Sequence, residues 1–127
     1  MSFRKLVLVA CILSLCAFAP VLAYTLTATV TTDGVSSTDG GHLEIGCRQA
    51  GTLPYSSCPS SISSGTEVRI DAVIHQGYWF MWFSTNPYLQ GCTTTNWGWG
   101  YGSNWATVCT FTMPSQNVSL NAEFQLP

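Results

Sequence analysis

Four cysteines, two histidines and a run of tryptophans hold most of the chemistry available to residues 24–127. Cys47, Cys58, Cys92 and Cys109 suit either a metal or disulfides. Structural zinc sites favour a short Cys-x-x-Cys spacing. Neither Cys47/Cys58 nor Cys92/Cys109 has it, even with His42 or His75 recruited as further ligands. An even number of cysteines in a short exported chain reads instead as a disulfide framework. Of the three pairings open to them, Cys47–Cys58 and Cys92–Cys109 are expected, because each pair brackets a turn-rich segment between strand-like runs. Each closure contributes about 3 kcal/mol in chain-entropy terms. No metal ligand set and no cofactor is expected.

Inside the second cysteine pair runs Thr95-Asn96-Trp97-Gly98-Trp99-Gly100-Tyr101-Gly102-Ser103-Asn104-Trp105. In an extended chain, Trp97, Trp99 and Tyr101 share one face at period two, and the glycines between them leave that face open. Such a platform suits stacking on sugar rings or insertion into a partner's apolar groove. Trp97, Trp99, Tyr101 and Trp105 are therefore the candidate binding residues, with Asn96 and Asn104 as hydrogen-bonding neighbours. The competing reading is a hairpin folded as a lid over the core of a small domain that needs bulky fillers. Tyr78, Trp79, Met81 and Trp82 form a second group. They are core on a central strand and a sticky rim on an edge.

Catalysis finds little support. No Gly-x-Ser-x-Gly motif surrounds any serine, and His75, just before Gly77, reads as a turn histidine. Glu67 and Asp71 alternate with Arg69 as on a solvated strand face, and no pair of acids is set across a cleft as glycoside hydrolysis requires. The chain is read as a non-enzyme. In residues 24–127 six acids stand against Arg48 and Arg69, a formal balance of −4. Nucleic-acid binding is excluded for want of basic surface, and an anionic membrane surface is disfavoured for the same reason.

These residues need strands to position them. Residues 1–23 read as a signal peptide: Arg4 and Lys5, an apolar run from Leu6 to Ala19, and small residues leading to cleavage after Ala23. The run is short of the about 20 residues of a membrane span. Leu8-Val9-Ala10-Cys11 resembles a lipoprotein box only faintly, because the apolar run continues past the cysteine. From Tyr24 to Pro127 helix signals are nearly absent. Leu26, Ala28 and Val30 alternate with threonines; Leu43, Ile45 and Cys47 alternate next. Val68, Ile70 and Ala72 alternate with Glu67, Arg69 and Asp71. Tyr78 to Phe83 is an apolar run of six residues, expected to be buried on both faces or to keep one face for a partner. Phe111 and Met113, then Val118, Leu120, Ala122 and Phe124, complete the pattern. The expected fold is all-β: one domain, a mixed or antiparallel sheet of about five to seven strands stapled by two disulfides.

The blocks resemble the divergent internalin B-repeat family of bacterial surface proteins. They are Gly65-Thr66-Glu67-Val68-Arg69-Ile70-Asp71-Ala72, Gly77-Tyr78-Trp79-Phe80-Met81-Trp82-Phe83-Ser84, Cys109-Thr110-Phe111-Thr112-Met113 and Asn117-Val118-Ser119-Leu120-Asn121-Ala122-Glu123-Phe124. The resemblance spans most of residues 24–127 and implies a β-grasp-like module of surface and adhesive proteins with no catalytic residue or cofactor. Two departures stand out. The family's Gly-Trp pair is Trp82-Phe83 here, which moves the large aromatic to the other strand face, and the short turn between the last two cysteines is expanded into the tryptophan loop. Asn117-Val118-Ser119 fits an N-glycosylation pattern, which a bacterial family discounts. The expected role is a secreted or cell-surface adhesion module whose loop contacts a glycan or protein. The alternative is a subunit of an extracellular fibre or matrix that self-associates by strand addition.

Overall fold

The computed structural model describes residues 22–51, 53–92, 98–99 and 106–127. Alternating threonine, valine and aromatic residues favour extended chain, and the described residues form eleven strands. These are β1 (Ala23–Tyr24), β2 (Leu26–Thr32), β3 (Val35–Ser36), β4 (Gly41–Arg48), β5 (Ser56–Ser57), β6 (Ile62–Ser63), β7 (Glu67–Ile74), β8 (Trp79–Asn86), β9 (Gly98–Trp99), β10 (Ala106–Thr112) and β11 (Val118–Gln125). A 3-10 turn covers Gln90–Cys92, and no α-helix occurs among the described residues. The fold is all-β, as the patterning implies.

The strands divide among sheets. One runs β3-β2-β11-β8-β9, another β10-β7-β4-β5, and β1 pairs with β6. The pairing of β2 with β11 is parallel and every other is antiparallel. A single apolar core draws on both larger sheets: Val68, Ile70, Ala72 and Ile74 from β7, and Val118, Leu120, Ala122 and Phe124 from β11. Leu26, Ala28 and Val30 of β2 pack against it. The one-sided strands thus bury the residues their alternation selects, at about 25 cal/mol for each Å² of apolar surface removed from water.

Phe124, fully buried, explains Gly40-Gly41 at the start of β4. A Cβ on Gly41 would run into the Phe124 ring and stand 2.6 Å from the Val73 carbonyl oxygen. The same corner is tied by Gly40 N–H to Thr32 Oγ1 (3.0 Å) and by His75 N–H to the Gly40 carbonyl (2.9 Å).

Both disulfides join the expected partners, Cys47 to Cys58 and Cys92 to Cys109. The second connects the turn after β8 with β10, and so links the segment leaving one sheet to the edge strand of the other. Gly91 in that turn lies so close to the Thr110 carbonyl oxygen that no side chain fits between them. The turn therefore shields β10, an edge strand that would otherwise offer unpaired backbone to another chain.

Candidate binding face and aromatic loop

Of the aromatic loop, Trp97, Tyr101 and Trp105 lie outside the described residues, as do Asn96 and Asn104. The backbone of Gly98–Trp99 is placed: it pairs antiparallel with β8, Phe80 opposite Gly98 and Trp79 opposite Trp99. The disulfide-closed loop is thereby joined to the edge of the five-stranded sheet.

That sheet carries a face absent from the sequence-based candidates. On β8 the register with β11 runs Ser84 opposite Asn121, Phe83 opposite Ala122 and Trp82 opposite Glu123, then jumps to Phe80 opposite Phe124. Met81 has no opposite residue, which makes it the extra residue of a β-bulge. The bulge keeps Phe80 and Phe83 in the core, with ring centroids 4.7 Å apart, and sends Trp82 outward, where it is 42% exposed. The six-residue apolar run is therefore divided. Phe80, Met81 and Phe83 are buried, Tyr78 and Trp79 are partly buried, and Trp82 is exposed.

Across β2, β11 and β8 the outward residues stand in three rows: Thr27–Ser119–Asn86, Thr29–Asn121–Ser84 and Thr31–Glu123–Trp82. Hydrogen bonds run along them. Thr29 Oγ1 donates to Asn121 Oδ1 (2.8 Å) and Asn121 Nδ2 donates to Thr31 Oγ1 (2.9 Å). Thr31 Oγ1 donates in turn to Glu123 Oε2, whose other oxygen accepts Gly34 N–H at 2.8 Å. Glu123 is 5% exposed, so its carboxylate is spent on fixing the β2–β3 turn and the threonine row. Thr27, Ser84, Asn86 and Ser119 remain exposed, and with Thr29 and Asn121 they line a shallow groove of about 290 Å³. The groove offers hydroxyl and amide donors and acceptors, and none of its lining residues is charged.

Comparison with protein-family models, with curated proteins and with solved structures found no match.

The opposite sheet is charged. Arg48 Nε donates to Glu67 Oε2 at 2.6 Å and Arg69 Nε to Asp71 Oδ1 at 2.9 Å. These hydrogen bonds hold both guanidiniums above their ordinary pKa. The Arg48 guanidinium also lies over the Tyr55 ring, 4.3 Å from its centroid. A groove of about 430 Å³ lies there too, but two of its charged lining residues, Arg69 and Asp71, already satisfy one another. His75 is at the turn after β7, as expected, with a contact that the sequence did not reveal: its Nε2 lies 2.9 Å from Nδ1 of His42.

The missed face had a partial signal. Ser119, Asn121 and Glu123 recur at period two on β11, as do the threonines of β2. Only the parallel pairing of these distant strands makes one surface of them.

Proposed function

We propose that this protein is an exported, non-catalytic binding module that recognises a neutral polysaccharide through the outer face of its five-stranded sheet, with the tryptophan loop at the sheet's edge completing the contact. The carrying observation is Trp82, an exposed indole next to uncharged rows of threonine, serine and asparagine. Pyranose rings stack on aromatic faces, while their hydroxyls take and give hydrogen bonds of the kind amide and hydroxyl side chains supply. Support for export comes from the two disulfides, which persist in oxidising compartments, and from the leader-like N-terminal sequence. The resemblance to divergent internalin B-repeats fits a bacterial surface setting. Sedimentation with insoluble cellulose and chitin, together with a glycan array, tests the proposal on wild type, Trp82→Ala and Trp97→Ala/Trp99→Ala. Retention of wild type with loss in Trp82→Ala is expected. Wild type that binds no glycan, or three proteins that bind alike, would refute it.

A second reading is favoured by one edge. Among the described residues β3 covers β2 only at Thr31 and Thr32, and Ser37 N–H reaches the Val30 carbonyl. Among the described residues Leu26 to Thr29 have no neighbouring strand on that side. An open edge of this kind suits strand addition between copies. Light scattering across a concentration series decides: a strict monomer throughout ends this reading.

A further inference from the structure

His42 and His75 take no part in the glycan face. His42 lies on β4 opposite Val73 of β7, and His75 follows β7 directly, so the antiparallel pairing brings the two rings together at the surface. Their centroids are 5.2 Å apart with planes inclined at 45°, and Nδ1 of His42 is 2.9 Å from Nε2 of His75. The far side of each ring also has a partner. His75 Nδ1 is 3.1 Å from the Asp39 carbonyl oxygen, and His42 Nε2 is 3.5 Å from Glu44 Oε1. The Asp39 carbonyl only accepts, so His75 Nδ1 carries the hydrogen and His75 Nε2 presents a lone pair. That lone pair faces Nδ1 of His42 at hydrogen-bond distance, 2.9 Å, so two imidazole nitrogens converge at the surface within reach of one ion.

We propose that His42 and His75 form a binding site for one divalent transition-metal ion of tetragonal preference, Cu(II) ahead of Ni(II). Metal-binding histidines characteristically give their other N–H to a carboxylate or a backbone carbonyl, which fixes the tautomer and aims the ligand nitrogen. Asp39 does this for His75, and the Glu44 carboxylate lies 3.5 Å from Nε2 of His42. Imidazole donors suit Cu(II), Ni(II) and Zn(II), and at a given site of nitrogen donors Cu(II) binds ahead of Ni(II) and Zn(II). The His42 side chain is 45% exposed, so the rings can turn until both lone pairs meet on the ion. Among the described residues no group of three or more histidines, cysteines and acids gathers, so the remaining positions fall to water or to donors from another molecule. The surrounding charge favours a cation: Glu44 borders His42, Asp39 precedes Gly40, and Asp71, opposite Glu44, is paired with Arg69.

Calorimetric titration of tag-free, disulfide-intact protein with CuSO4, NiSO4 and ZnSO4 tests the site. One Cu(II) per chain, with copper bound more tightly than nickel and zinc, is expected. His42→Gln and His75→Gln should each weaken copper binding at least tenfold, and Glu44→Gln about tenfold at unchanged stoichiometry. Selective broadening of both imidazole Cε1–H proton resonances by substoichiometric Cu(II) reads the same site in wild type, without any variant. Copper binding that is equal in wild type and His42→Gln/His75→Gln, broadening that spares the imidazoles, or zinc bound more tightly than copper would overturn the proposal. Glycan retention is measured separately in EDTA, so failure of either idea leaves the other standing.

Discussion

Replacing Trp82 by alanine separates ligand contact from folding, and the structure sets both magnitudes. At 42% exposure, a tryptophan of about 250 Å² leaves about 100 Å² for a ligand to cover. At about 25 cal/mol per Å² that coverage contributes about 2.5 kcal/mol, or about 70-fold in Kd. The remaining area, about 150 Å², packs against the protein and contributes up to about 4 kcal/mol to folding, an upper bound because the unfolded chain already buries part of it. The variant should thus melt lower by up to about 15 °C, and its affinity must be measured well below its own midpoint. Affinity electrophoresis in a soluble form of whichever polysaccharide retains wild type gives the Kd, and calorimetry gives the Tm. Trp82→Phe, which keeps a ring, should fall between the two. Val108→Ala removes an exposed apolar residue from the other sheet and should bind as wild type does. A folded Trp82→Ala protein with affinity within threefold of wild type would refute the stacking argument.

Gly41→Ala drives a methyl into the Phe124 ring and the Val73 carbonyl; a loss of about 1–3 kcal/mol is expected in urea melts, partly recovered by adding Phe124→Leu if the ring is the main obstacle. The disulfides span 11 and 17 positions, so Cys47→Ala/Cys58→Ala and Cys92→Ala/Cys109→Ala should each cost about 3 kcal/mol, and wild-type melting in either would contradict the assigned pairing. Asn117 Oδ1 accepts the Thr25 N–H at 2.9 Å, where β2 and β11 begin side by side; Asn117→Ala should lower stability by about 1 kcal/mol in the same urea melts.

What could be read from the sequence followed from one-sidedness. β7 and β11 bury every second residue, so Val68, Ile70, Ala72 and Val118, Leu120, Ala122 announce their face by period alone. The cysteine pairs were equally legible, because each closes a local turn-rich segment. The proposed binding face was not. It needs β2 beside β11, a parallel pairing between strands some ninety positions apart, as in Thr29 with Asn121, and nothing local encodes that neighbour. The His42–His75 contact failed to show for the same reason, since it arises from the β4–β7 register rather than from either residue's surroundings.

The run Tyr78 to Phe83 was ambiguous for a different reason, and resolving it connects the loop to the face. In a regular strand Phe80 and Phe83 would point to opposite sides. Both are in the core, and Phe80 also meets the Phe124 ring edge-on at 5.6 Å. One extra residue between them is the least change that brings both inward, and Met81 is that residue. The same bulge fixes the outward positions: Trp82, on the far side of Met81, stands opposite Glu123, while Trp79, adjacent to Phe80, stands between Gln125 and Trp99. Trp82 is thus turned from the core by the packing of two phenylalanines and borders the hydroxyl rows, while the backbone at Trp79 pairs with Trp99 of the disulfide-closed loop, so the aromatic segment in the chain's middle joins both parts of the proposed binding surface.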